Sequence, residues 1–286
     1  MVNGVQLYKC LHCQKQFIGG TRIDNIELWK DYIEGKQTYS QLANKHSCSI
    51  KTIQRRLDKV TFNLIAKKPR AVIVLMDTTY WSRNFGVMLF KDALTKENLL
   101  KYYVKYETNS LYIQGVLELK DKGYKILAIG CDGRKGLPQS FGNIPVQMCQ
   151  FHQSAIIRRY LTKRPKLTAA KELMEVVDLM KQTDKESFTG ALKEWFNNWE
   201  DFLNERTVNL NNNKSFYTHK RLRSAYRSLK NNLPWLFTWY DNIEKKIPNT
   251  TNAIDGHFAD LKNKLRNHNG LSIDRKKKFI DEFLKA

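Results

Sequence analysis

Asp77, Asp132 and Asp255 are the residues whose type and placement most suggest chemistry. Asp77 follows the apolar run AVIVLM, Asp132 follows YKILAIGC, and Asp255 stands in IPNTTNAIDGHF, one turn into an expected helix. Carboxylates that converge repel one another and titrate upward unless cations intervene, and their hard oxygens suit Mg²⁺ or Mn²⁺. Two such ions about 4 Å apart can activate an attacking oxygen and stabilise a leaving oxygen on a phosphodiester. The three acids are therefore candidates both for catalysis and for holding two divalent ions. Asp77 could instead cap a turn with Thr78 and Thr79, and Asp132, in CDGRKGL, is also an ordinary Asp-Gly turn residue.

Two further pairs carry ligand chemistry. Cys149 and His152, in MCQFH, are expected at the same edge of the sheet as Asp132, where His152 could orient a carboxylate; a buried Cys and a hydrogen-bonded His is the alternative. Cys10 and Cys13, in YKCLHCQKQF, have the C-x-x-C spacing of half a tetrahedral zinc site. Neither His12 nor His46 and Cys48 completes it, so zinc is not expected there. Five cysteines, an odd number, argue for reduced thiols rather than a disulfide framework.

Positioning the three acids requires an α/β core. AVIVLMDTTYW reads as a central strand ending at Asp77, and FGVMLFKDA and LLKYYVKYE as two more strands of an antiparallel meander. SLYIQGVLELKDKG reads as a helix, YKILAIGCDG as a strand stopping at Asp132, and IPVQMCQFH, after a short helical turn, as the last strand. That order is the order of a ribonuclease-H-like core. If its first and fourth strands are neighbours, Asp77 and Asp132 lie side by side, and a helix over 251–267 can deliver Asp255. Between them, 153–247 carries apolar residues at helical spacing, such as Leu192, Trp195, Phe196, Trp199 and Leu203, broken by an Asn-rich loop at 209–213. This stretch reads as a helical insertion.

Upstream, DNIELWKDYIEG, TYSQLANKH and SIKTIQRRLDKV show helical stripes of Ile26, Trp29 and Ile33, of Leu42 and Ala43, and of Ile50, Ile53 and Leu57. Thr38 and Ser49 are N-cap candidates. The layout is that of a helix-turn-helix, whose third helix would offer Lys51, Thr52, Gln54, Arg55 and Arg56 to a major groove. The domains expected are thus a zinc-ribbon-like segment (1–20), a helix-turn-helix (21–68), the core (69–152 and 248–286) and the insertion (153–247).

Charge names the partner. The 286 residues hold 49 Lys and Arg against 28 Asp and Glu, a net charge of +21 that favours polyanions. Residues 206–230 hold seven basic residues and no acid, with Phe216, Tyr217 and Tyr226 among them as possible base platforms. Lys262, Arg266, Arg275 and Lys278 continue the basic pattern near Asp255. No run suits a membrane span or a signal peptide, so an intracellular protein is expected.

In VIVLMDTTY, AIGCDGRKGL, MCQFH with its C-x-x-H, the helical insertion and TTNAIDGHFADLKNKLRNHNGLS, taken in order, the chain resembles DDE transposases of the Mutator-like class, including bacterial insertion-sequence members. The resemblance covers about residues 70–275, and C-x-x-C followed by a helix-turn-helix is similar to the front end of such proteins. It implies that Asp77, Asp132 and Asp255 are the catalytic acids, with Mg²⁺ or Mn²⁺ as a pair of ions, and that Cys149 and His152 match the motif between the second and third acids. It implies double-stranded transposon-end and target DNA as substrates, 3' strand transfer, a homodimer or larger complex on DNA, and a bacterial, cytoplasmic, nucleoid-associated setting. Asp255 departs from the family, which usually has Glu there; its carboxylate is shorter by about 1.5 Å, one bond. A catalytically impaired, DNA-binding relative and a structure-specific nuclease are the other readings.

Overall fold

The structure is a computed structural model that describes residues 7–18, 23–61 and 67–285. The boundary expected at 20/21 lies outside the described residues. The chain divides into two compact units, Met1–Ile65 with Ala259–Lys285, and Ala66–Phe258.

The first unit begins with a hairpin of β1 (Leu7–Lys9) and β2 (Gln16–Ile18), followed by α1 (Asn25–Ile33), α2 (Tyr39–Lys45) and α3 (Ile50–Lys59). Each helix start is fixed by a side chain that accepts an orphan N–H: Asp24 from Ile26, Thr38 from Gln41 in a capping box, and Ser49 from Thr52. Ser47 turns the chain between α2 and α3 with a positive φ of 48°. Leu28, Trp29, Tyr32, Ile33, Leu42, Ile53 and Leu57 are buried, whereas Ile26 and Ile50, expected in the stripes, are 60% and 45% exposed. The burying face of α1 is thus rotated toward Leu28 and Tyr32.

The end of the chain belongs with these helices. Sequence reasoning groups 248–286 with the sheet, but 259–285 packs in the first unit. There α11 (Ile273–Leu284) sets Phe279 edge-on against Tyr32, 5.7 Å between ring centres. Arg275 donates twice to Asp58 (3.1 and 2.8 Å), and Lys278 donates to the carbonyls of Leu57 and Asp58 at the end of α3 (both 2.7 Å). Two cations expected to meet phosphate are therefore helix fasteners.

The second unit is a mixed α/β structure. Its five-stranded sheet has the order β5-β4-β3-β6-β7, with β3 (Ala71–Ser82), β4 (Phe85–Asp92) and β5 (Asn98–Val104) in an antiparallel meander. After α4 (Asn109–Asp121), β6 (Lys125–Cys131) returns parallel to β3, and β7 (Val146–Met148) lies parallel to β6 beyond a 3₁₀ turn at Pro138–Phe141. Period two gives each strand two faces. Val72, Val74, Met76, Met88 and Phe90 pack with Tyr112, Val116 and Leu119 of α4. Close approach there needs Gly115, where a Cβ would sit 2.1 Å from the Phe90 ring. Ile73, Leu75 and Ala128 on the opposite face are joined by Ile247 and Ala253.

Helices α5 (Gln150–Leu161), α6 (Thr168–Leu179), α7 (Lys185–Asn204) and α8 (Lys220–Leu236) share a core that includes Ile157, Leu173, Phe188, Leu192, Trp195, Leu229 and Phe237. The stretch is not helical throughout: β8 (Arg206–Asn209) and β9 (Lys214–Tyr217) form a hairpin across the Asn-rich loop. After α9 (Thr238–Asp241) and a 3₁₀ turn, α10 (Asn252–Arg266) begins in this unit and ends in the first. No helix among the described residues is long and apolar enough to cross a membrane.

Candidate active site

Register brings two of the acids together. β3 and β6 are parallel with Val74 opposite Ile129 and Leu75 opposite Gly130, where the pairing stops; carried two residues further, the same register would put Asp77 alongside Asp132, just past the end of β6, and the Asp132 charge does act on Asp77. Asp77 is not at a strand end, as its sequence suggests. β3 continues to Ser82 because β4 goes on pairing with it, Asp77 opposite Leu89, after β6 has stopped. Asp77 shares the sheet face of Ile73 and Leu75, the face that Ala253 of α10 covers, and Asp255 lies two residues after Ala253.

Burial pushes Asp77 up to about 7, and the Asp255 and Asp132 charges add to the rise; the Thr78 N–H, donated to Asp77 Oδ1 at 2.7 Å, and His152 oppose it. Asp132 Oδ1 accepts the N–H of Arg134 (3.1 Å), an Asx turn that bends the chain away from β6. Asp255 Oδ2 accepts the hydroxyl of Thr251 (3.2 Å). The charges of Asp132 and Asp255 both reach Asp77, yet among the described residues no three His, Cys, Asp or Glu side chains form a group able to hold a metal ion.

Cys149 and His152 are not on a strand. β7 stops at Met148, Cys149 is the N-cap of α5, and His152 lies in the first turn of that helix. The strand cannot run on because the Gln150 N–H is taken by the carbonyl of Asn249 (3.0 Å), a partner from a distant part of the chain. Cys149 Sγ accepts the N–H of Thr251 (3.3 Å), and the Thr251 hydroxyl lies 3.4 Å from His152 Nδ1 as well as on Asp255. A Cys–His–Thr corner thus fixes the residue just before α10. Burial disfavours a charged Cys149, but bonds from His152 and Thr251 outweigh it and hold the thiol below its ordinary value. Cys149 in turn raises His152 to about 9, helped by Asp255 and Asp77 against burial. A positive imidazolium at neutral pH therefore faces the carboxylates.

Sequence reasoning missed several participants. Glu107, raised by burial and by the Asp132 charge, accepts from the Tyr112 hydroxyl (2.8 Å), which also bonds Thr78 Oγ1 (2.8 Å). Arg134 is held by the Glu107 carbonyl (2.8 Å) and Asn109 Oδ1 (2.7 Å). His257, one turn along α10, shares a 3.0 Å bond with Asn98, which accepts from the buried Lys91 (3.0 Å). A buried polar pair among apolar strands, as at Lys91 and Asn98, is the only sign the sequence offered.

The expected nucleic-acid residues fare unevenly. Lys51 and Arg55 are exposed on α3 and Gln54 is half-buried, but Thr52 bonds Ser49 (2.9 Å) and Arg56 donates to Ile23 O (3.1 Å) and Asn25 Oδ1 (3.2 Å), closing the start of α1. On α10, Lys262 is half-buried and Arg266 exposed. The aromatic rings at 216–226 are occupied: Tyr217 lies under Arg206 and Arg223 (4.6 and 3.7 Å), Lys220 sits over Phe216 (3.9 Å), and Tyr226 stacks on Phe196 (4.6 Å). In the first hairpin, the N–H groups of Cys13 and His12 hold the Cys10 thiol below its ordinary value.

No protein-family model matches the chain, and no curated protein matches it.

Proposed function

We propose that the protein is a DDE-type transposase with a ribonuclease-H-like core, binding transposon-end DNA through a helix-turn-helix and cutting and joining it with divalent metal. The observation that carries this reading is the parallel register of β3 and β6, which, carried two residues past its last pair, would bring Asp77 alongside Asp132 beside the sheet face that the start of α10 covers. Resemblance supplies the family; the register supplies the reason these acids would act together.

The donor set suits Mg²⁺ or Mn²⁺. Its oxygens are hard, Asp77 is raised by burial and further by the Asp255 and Asp132 charges, and Mg²⁺ is commonly held by one or two carboxylates plus waters and substrate phosphate. A site of that kind needs no preformed group of three protein ligands. Asp77 and Asp132 would be the principal ligands, with Asp255 the third. Bound there, the ions would activate the attacking oxygen and stabilise the leaving one. The chain's own part is to aim and to balance charge. Thr78 orients Asp77, the Asx turn orients Asp132, and Thr251 orients Asp255. His152, protonated at neutral pH, offsets negative charge beside the reacting phosphodiester.

Labelled duplexes covering the DNA on either side of the coding sequence, incubated with Mg²⁺ or Mn²⁺, test the reading. Metal-dependent nicking and joining, lost in Asp77→Asn, is expected. The short side chain of Asp255 favours one rival, a DNA-binding relative without catalysis; binding of those duplexes with no nicking in either metal would establish it.

A further inference from the structure

A cleft of about 1150 Å³ opens immediately beyond Asp132, walled by the loop 133–139, by α5 and by one face of α8. Its lining includes Arg134, Lys135, Arg159, Lys220, Arg221 and Arg227, and no carboxylate. Two of these arginines are spent on the walls: Arg134 is anchored beside Glu107, and Arg221 donates to the Arg159 carbonyl (2.9 Å), tying α8 to α5. Lys135, Arg159 and Arg227 are exposed and have no ion pair among the described residues, and neither has Lys220, whose ammonium rests over the Phe216 ring. The floor is polar and closed, with Asn232 donating to Gln153 (2.8 Å) and Gln153 to Ser228 (3.2 Å). Tyr160 adds a ring that is 37% exposed.

We propose that this cleft binds the sugar-phosphate backbone of one unpaired DNA strand leading to the carboxylates, with Tyr160 as a stacking surface for a base. The assignment of DNA, rather than another polyphosphate chain, rests on the transposase reading. The ligand is a chain of phosphates because the cations are spread out: Lys220 and Arg227 stand about 10 Å apart along α8, and Lys135 and Arg159 stand on the facing walls. One small anion would meet only one of them. The strand is unpaired because a base can stack on the exposed Tyr160 ring only after it has left its neighbours in a duplex. Cations along a groove with an aromatic ring beside them are the usual means of holding a single strand without reading its sequence. Continuity with the site is built in, since the Arg134 N–H that bonds Asp132 belongs to the loop that forms the cleft wall.

Fluorescence anisotropy tests this with the full chain in EDTA, so that metal plays no part. The probes are a labelled mixed-sequence DNA oligonucleotide, the same sequence as duplex, and the same sequence as RNA. Replacing three cations, Lys135→Ala/Arg159→Ala/Arg227→Ala, is expected to weaken single-strand binding by about 30-fold and to flatten the plot of log K against log salt by about 2, at ~0.7 per phosphate contact. Duplex binding should change less than about threefold, because a duplex keeps its bases stacked on one another and away from Tyr160. The charge-keeping set Lys135→Arg/Arg159→Lys/Arg227→Lys should bind the single strand as the parent does. Unchanged single-strand affinity and salt slope in the alanine set would overturn the proposal, as would equal loss in both sets or tighter binding of the RNA. A protein that holds the single strand through these residues but nicks no duplex keeps the cleft and loses the transposase reading; one that nicks, with the alanine set binding normally, loses the cleft alone.

Discussion

The carboxylate corner and the basic cleft meet at the loop after β6, and they are unlike in one instructive way. In the corner, acids gather beside an imidazolium, and burial first, then the neighbouring carboxylates, raise Asp77. In the cleft, positive charge accumulates with no carboxylate in the lining, and Lys135, Arg159 and Arg227 are exposed to solvent. A buried acid has no such escape, because desolvation penalises its charged form while water continues to screen an exposed Lys or Arg. Without a bound counter-charge the corner therefore relieves itself by holding a proton on Asp77, whereas the cleft keeps its charge and gains on meeting phosphate.

That contrast is broken most severely by Asp132→Asn. The substitution keeps the Asx turn, because an amide oxygen can still accept the Arg134 N–H, but removes a charge from the corner. Metal-dependent cleavage is expected to fall by about 1000-fold, while single-strand binding in EDTA stays at the parental level. A gel assay beside the anisotropy titration reads both, and loss of binding together with cleavage would show that the two regions are not separable.

Asp77→Asn sharpens the same contrast through stability. With the folded value near 7 and the ordinary one 3.8, both states are protonated below pH ~4 and the group costs nothing; between the two values the unfolded chain ionises first and stability falls; above ~7 the full cost is present. In metal-free buffer the variant should therefore be more stable than the parent by ~2–4 kcal/mol at pH 8, with the advantage vanishing near pH 4. Urea unfolding at the two pH values measures it. Saturating Mg²⁺ should shrink the difference at pH 8 by stabilising only the parent.

Which parts of this site a sequence can announce follows from the range of the forces involved. AVIVLM and YKILAIG declare buried strands because burial demands apolar side chains, and Thr38 and Ser49 declare helix starts because capping is a contact over three residues. MCQFH does not declare its helix, since the N–H that ends β7 is claimed by Asn249, about a hundred residues away. The end of α3 is similarly closed by Arg275 across more than two hundred residues, so a run of basic residues that looks ready for phosphate is partly consumed by packing. The β8–β9 hairpin escapes for another reason: its strands are four residues each and largely exposed, so neither face carries an apolar pattern, and only the Asn-rich turn gives it away.

The smallest expected effect isolates what holds the third acid. Cys149 accepts the N–H of the buried Thr251 and raises His152, so Cys149→Ala removes an acceptor and a partner together. Leaving the Thr251 N–H unsatisfied should cost ~1–2 kcal/mol, and Cys149→Ser, whose hydroxyl oxygen can accept the same bond, should recover most of it. His152 provides a separate readout. Without its principal partner it should titrate below about 9, because burial is then opposed only by the Asp255 and Asp77 charges. NMR titration of the His152 ring in the two variants decides between two roles for the corner. If His152 stays near 9 in Cys149→Ala, the carboxylates alone charge it, and Cys149 serves only to tie down the residue from which α10 starts.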